Sequence, residues 1–284
     1  MSVLKIVIGI ISGSMAVIAD GIDSASDVVT SLITLFTAYI IARPPDNKYP
    51  YGYLKADTIA TKVLAFIIFF AGAQLAFSSV RKLVNDEITA IPDSVAIYII
   101  IVSIVGKLLL SAYLRRTGKE VESAMLIANA RNMQNDVVIS LSVLAGLIFT
   151  FIFELPIIDV ITALLVSVYI MFIAFRIFMQ TNRDLMDGVD DEEIYKKIVD
   201  QVKSVEGASN PHRIRVRKMA HLYLIALDIE VDGKILLDDA HKLGAEVEKN
   251  IKQNIPNVYD VLIHVEPEGN DESDEVFGVS EQQL

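Results

Sequence analysis

Long apolar runs fill the first two thirds of the chain, and alternating, charge-rich segments fill the rest. A helix that crosses a bilayer needs about 20 mostly apolar residues. Five stretches reach that length: 15–42, 58–83, 93–114, 120–153 and 156–180. A sixth, 2–13, is too short to span, which predicts a partial helix or a chain whose natural start lies further upstream. Short polar connectors separate these runs at 12–14, 43–57, 84–92, 115–119 and 154–156. One set of connectors carries Arg43, Lys48, Lys55, Arg115, Arg116, Lys119 and Arg183, and the opposite set only Arg81 and Lys82. By the positive-inside rule, the N-terminus and the C-terminal part are expected in the cytoplasm.

Beyond residue 182 the pattern changes. Residues 190–204 read as a helix with an acidic first turn, as the helix dipole favours. Segments 214–219 and 222–231 alternate as strands do. Residues 238–254 have helical periodicity, and 258–265 form a third strand stopped by Pro267. The expected architecture is a polytopic α-helical membrane domain at 1–182 and a small α+β domain at 183–268. An acidic tail at 269–284 is too polar to fold and is expected to be disordered.

Composition narrows the function. The chain is 53% hydrophobic, too apolar for an ordinary soluble domain. Its net charge of −11 argues against a nucleic-acid partner, which needs a basic face. Without cysteine there is neither a disulfide nor a thiolate ligand, so a metal must be held by Asp, Glu, Asn, His or backbone oxygen. No nucleophile–base pair, phosphate-binding glycine loop or nucleotide motif is legible, which argues against an enzyme and for secondary transport.

Two intramembrane segments carry the chemistry. Asp20, Asp23, Asp27 and Thr30 follow one another at helical spacing and share a face, as do Asn132 and Asp136. A carboxylate within a bilayer is costly unless it meets a cation, a proton or water. Three aspartates and a carboxamide therefore predict an ion site at Asp23, Asp27, Asn132 and Asp136, with Asp20 behind it or lining its approach. Oxygen donors of this kind suit Mn²⁺, Mg²⁺ or Fe²⁺, and the membrane domain has no His to favour Zn²⁺. Interhelical hydrogen bonding is the competing explanation. Lys62, Lys107 and Arg131 read as structural charges that snorkel or pair with acids, with Arg131 tuning the field of the site.

These residues resemble a known family. The run 13–20 (GSMAVIAD) followed by Asp23-x-x-x-Asp27 is similar to the second-helix signature of the cation diffusion facilitator family. Residues 50–57 (PYGYLKAD) resemble its second-to-third-helix loop, and Asn132-x-x-x-Asp136 resembles its fifth-helix motif. The resemblance implies a homodimer in the cell (inner) membrane that exports a divalent metal from the cytoplasm against protons, with a ferredoxin-like cytoplasmic domain. Zinc-type members usually carry His where this chain has Asn132, so Mn²⁺ is the expected substrate. A Zn²⁺, Fe²⁺ or Cd²⁺ exporter, or a metal-sensing scaffold that transports nothing, are the rivals.

The family loop often has His where this chain has Tyr49 and Tyr53, so a turn with interfacial tyrosines is expected there rather than a metal site. Lys55 is expected to pair with Asp187, resembling the charged interlock of family dimers. By the same resemblance, His212, Asp228, His241, His264 and Glu266 match cytoplasmic metal positions. His221 is expected to be merely exposed at the turn between strands.

Overall fold

The computed structural model describes residues 1–85, 90–121, 124–189, 192–220, 222–269 and 277–284. Six apolar helices come first: α1 (Ser2–Ser12), α2 (Met15–Ile41), α3 (Ala56–Val84), α4 (Val95–Glu120), α5 (Ala124–Phe153) and α6 (Ile157–Leu185). Helices α2 to α6 are long and apolar enough to cross a bilayer, whereas α1 has only 11 residues. The chain divides into two compact units, Met1–Tyr39 with Ala60–Met179, and Ile40–Ile59 with Gln180–Leu284.

α4 runs further than its apolar pattern predicts and takes up residues 115–119. Arg and Lys are good helix formers, and Arg116 donates to Glu120 one turn on at 3.0 Å, so nothing local stops the helix there. α1 stops at Gly13, whose φ of 73° is the left-handed value that glycine adopts without strain. Ser14 then caps α2 by accepting the Val17 amide at 3.2 Å. Asp159, in the first turn of α6, completes that cap. Its carboxylate accepts the Ser14 hydroxyl at 2.6 Å and the Met15 amide at 2.7 Å.

Residues such as Val17, Ile100, Leu147 and Ile170 form the core of the helical unit. Leu35, Phe77 and Leu109 point outward and remain about 70% exposed, as lipid-facing positions should. Small residues set the helix spacing. A Cβ at Gly9 would lie 2.8 Å from Ile18 Cγ1, and one at Gly21 would lie 2.7 Å from Ile6 Cγ1, so α1 and α2 cross nearly in contact. A Cβ at Gly146 would lie 2.7 Å from Thr162 Cγ2, the corresponding close approach of α5 to α6. Gly146→Leu is expected to force these helices apart at a cost of about 1–3 kcal/mol or more. A lowered midpoint in detergent thermal unfolding would show it, and an unchanged midpoint would contradict the packing.

The second unit holds α7 (Glu193–Lys203), β1 (Ser209–Met219), β2 (Leu222–Val231), α8 (Leu237–Asn254) and β3 (Val258–Pro267). The sheet order is β1-β2-β3, with β1 antiparallel and β3 parallel to β2. A parallel neighbour requires a crossover, which α8 supplies. Ile198, Val202, Ile225, Leu227, Ile229, Val247 and Ile251 are buried between the helices and the sheet. Residues 190, 191 and 221 lie outside the described residues, and with them the predicted start of α7 and the expectation for His221.

Residues 277–284 differ from the expectation of a disordered tail. Ile214 and Val279 exchange both backbone hydrogen bonds, at 2.9 and 3.0 Å, on the outer edge of β1. Glu281–Gln283 then form a short 3₁₀ turn in which Lys203 pairs with Glu281. Phe277 and Val279 are apolar positions in an otherwise acidic stretch, and a free strand edge gives such positions a partner.

Candidate metal centre

Asp23 and Asp27 stand one turn apart on α2, and Asp136 faces them from α5. One oxygen from each lies within 4.8 Å of the other two, a separation that a single cation can bridge. A cavity of about 480 Å³ opens on the cluster, lined by Asp27, Thr30, Lys107, Asn132 and Asp136 among others. Asp23 Oδ2 is wholly buried and has no hydrogen-bond partner. The three carboxylates thus converge on one point, with the Asn132 carboxamide on the same cavity wall. Charge, hardness and spacing suit one divalent ion held by oxygen.

Asp20 does not line an approach. It is fully buried, its Oδ2 lies 2.6 Å from Lys5 Nζ, and its Oδ1 accepts the Ser140 hydroxyl at 2.7 Å. Lys5 is itself fully buried and donates to Ser24 Oγ at 3.1 Å. The sequence pattern passes over Lys5 because it sits in a helix too short to span and its acid lies on the next one. The available signal was one acid and one base, each inside an apolar run, since a buried charge needs a partner.

Lys107 takes the second of its two expected settings, pairing with acids, and those acids belong to the cluster itself. Its Nζ lies 3.5 Å from Asp136 Oδ2 and 4.0 Å from Asp27 Oδ2, inside the cluster. Lys62 rests over the Phe178 ring, 5.1 Å from its centroid. Arg131 is exposed and forms no ion pair among the described residues.

The loop after α2 is organised by Asp46. Its Oδ1 accepts the Lys48 and Tyr49 amides at 2.8 Å each, and its Oδ2 accepts the Tyr53 hydroxyl at 2.6 Å. The Tyr49 and Tyr53 rings pack against each other at a tilt of 46°, with centroids 4.6 Å apart. The Tyr53 hydroxyl first, and then the backbone amides, hold the Asp46 carboxyl below its ordinary range. Because this pKa is depressed, the turn's electrostatic support is present at neutral pH and is lost as pH falls through the lowered value. Tyr53→Phe is expected to move the Asp46 titration upward in carboxyl-carbon NMR. An unmoved titration would remove the hydroxyl from this role.

Lys55 Nζ lies 2.8 Å from Asp187 Oδ1, the predicted pair, and Arg217 Nε lies 2.8 Å from the other oxygen of the same carboxylate. Further along, two bulges in β1 bring His212 opposite Asp228, and β2 places Asp228 opposite His264. His212, Asp228 and Glu266 each offer a ligand atom within 4.8 Å of the others. His264 Nε2 lies 3.2 Å from Glu266, and His212 Nε2 lies 3.5 Å from it. Arg213 donates to Asp228 at 2.8 Å, with Arg215 at 3.7 Å. His241 does not join this group. It lies on the exposed face of α8 and belongs to neither metal-compatible cluster among the described residues. A helix that crosses from β2 to β3 presents this residue to solvent, which ligand spacing along the sequence does not reveal.

Comparison with known proteins bears on both units. The family description "Cation efflux transmembrane domain" matches residues 1–186, and "Cation efflux protein, cytoplasmic domain" matches residues 191–268. The manganese efflux system protein MneS of Bacillus subtilis is 28% identical over 269 residues, covering 94% of this chain and 91% of that one. The manganese efflux system protein MneP of the same organism is 30% identical over 279 residues, covering 93% and 90%. The metal-bound C-terminal domain of the CzcD transporter from Thermotoga maritima is 40% identical and covers 28% of this chain and 93% of that one, with a TM-score of 0.28. With five bilayer-length helices among the described residues, a cytoplasmic α+β domain and relatives aligned along nearly its whole length, the chain belongs to the cation diffusion facilitator family of divalent metal efflux transporters and is not an enzyme.

Proposed function

We propose that the chain exports Mn²⁺ from the cytoplasm in exchange for protons, as a homodimer in the cell (inner) membrane. The observation that carries this reading is the convergence of Asp23, Asp27 and Asp136 on one point beside a cavity lined by Asn132. An all-oxygen set favours a hard ion such as Mn²⁺ over ions that prefer nitrogen or sulfur. The relatives named for manganese efflux support the same metal.

In this mechanism Mn²⁺ reaches the carboxylates through the cavity, and the Asn132 carbonyl oxygen completes the ligand set. The helices rock, the site faces outward, and protons compete with the metal for the carboxylates. Asn132 cannot carry a proton, so the counter-ion load falls on the aspartates. The cytoplasmic group of His212, Asp228, Glu266 and His264 binds a further metal ion, and the Lys55–Asp187 pair holds the dimer interface in register.

The test is metal flux in proteoliposomes with Mn²⁺ and Zn²⁺, for the wild type and Asn132→His. Wild-type flux favouring Mn²⁺, with the variant shifted towards Zn²⁺, is the expected result. Equal Zn²⁺ flux in both proteins would mean that Asn132 does not set the metal.

A further inference from the structure

We propose that Lys107 is a tethered cation of the ion site, seated between Asp27 and Asp136 in the metal-free protein and displaced along α4 when the metal binds. The inference rests on the reading of Asp23, Asp27 and Asp136 as the ion site.

Two lysines lie deep in the helical unit, and their settings differ. Lys5 is held closely, by an ion pair to a carboxylate oxygen at 2.6 Å and a hydrogen bond to a hydroxyl at 3.1 Å. A charge pair at that distance, with a hydrogen bond beside it, fixes the ammonium in place. Lys107 Nζ is buried, makes no hydrogen bond, and faces its two carboxylates at 3.5 and 4.0 Å. An ammonium at those distances is attracted by charge and fixed by no directional contact. It can be exchanged for another cation without breaking a hydrogen bond.

There is room for the exchange. Lys107 lines the cavity together with Ser103, Gly106 and Leu110 of its own helix. A Cβ added at Gly106 would meet nothing within 4 Å. The four-carbon stem of lysine is flexible enough to swing the head along this open wall. The charges also balance. Three ionised carboxylates and one ammonium leave two net negative charges, which one divalent ion neutralises. If the lysine remains in the cavity after displacement, the loaded site is neutral, and a second cation has no excess charge to attract it.

A tethered competitor weakens metal binding and hastens release, since the ammonium is ready to take the vacated position. The experiment is calorimetric titration of the purified full chain with Mn²⁺ at one pH, for the wild type, Lys107→Met, Lys107→Arg and Asp27→Ala. Lys107→Met is expected to bind Mn²⁺ roughly tenfold more tightly, because a unit charge about 4 Å away is removed, and to turn over more slowly in proteoliposomes. Lys107→Arg keeps the charge and should show no such tightening. Lys107→Met binding with wild-type or weaker affinity, while Asp27→Ala has lost the binding event of this site and keeps that of the cytoplasmic group, would overturn the role of Lys107 and leave the ion site standing. Equal binding by wild type and Asp27→Ala would overturn the ion-site reading and this inference with it. If Lys107→Met does not fold, reductive methylation of the wild type read by mass spectrometry decides. Mn²⁺ should raise the labelling of Lys107, and unchanged labelling counts against displacement.

Discussion

Asp27→Ala is expected to abolish Mn²⁺ flux in proteoliposomes while leaving the protein folded. Asp27 supplies one of three carboxylates whose oxygens lie within 4.8 Å of one another, and it borders the cavity that leads to them. Loss of partners that only support a metal ligand costs about 10–100-fold, so loss of a ligand itself should reduce flux at least a hundredfold. Folding should survive because the Asp27 side chain is about 43% exposed and its own ion-pair contact, to Lys107, is a long one at 4.0 Å. The check pairs a flux assay with size-exclusion chromatography of the same preparation. A well-folded variant with wild-type flux would remove Asp27 from the transport step and favour a sensor or scaffold.

Lys5→Met should act in the opposite way, on the fold before the flux. The lysine and Asp20 are both fully buried, and removing one leaves the other as an uncompensated charge in an apolar core. Breaking a buried pair in this manner typically costs about 3–5 kcal/mol. Thermal unfolding in detergent should therefore show a clearly lowered midpoint, and poor yield from the membrane. The double variant Lys5→Met/Asp20→Asn should recover much of the loss, because it removes the charge as well as its partner. A single variant as stable as the wild type would mean that water reaches Asp20 in the folded protein.

The two predictions rest on features that differ in how far they could be read from the sequence. Asp23, Asp27 and Asp136 declare themselves because an acid inside a long apolar run violates the rule that builds the run. Their convergence needs only helical spacing within α2 and the meeting of α2 with α5. Lys5, Asp20 and Lys107 obey the same rule, but their pairing depends on how three helices rotate against one another, which periodicity does not encode. The end of α4 departs from its apolar pattern for a related reason. Charge marks the edge of the bilayer, while the helix continues as long as its residues favour it, as Arg115, Arg116 and Lys119 do. In the cytoplasmic domain the strands were legible from alternation, but the two bulges of β1 were not. Those bulges bring His212 to Asp228, and the crossover of α8 carries His241 away from them. The docking of Val279 on Ile214 is a long-range pairing signalled only by a few apolar residues among acids.

The cap that Asp159 places on α2 has a consequence for biogenesis. The Ser14 hydroxyl and the Met15 amide find their acceptor in a residue about 145 positions later. Serine alone closes one turn locally, through the Val17 amide. The outer end of α2 therefore stays unfinished while the ribosome makes α3, α4 and α5. It closes only when α6 is threaded into the bilayer. The last span to be inserted thus seals one of the first, and a chain cut short before Asp159 would expose that unsealed end to membrane quality control.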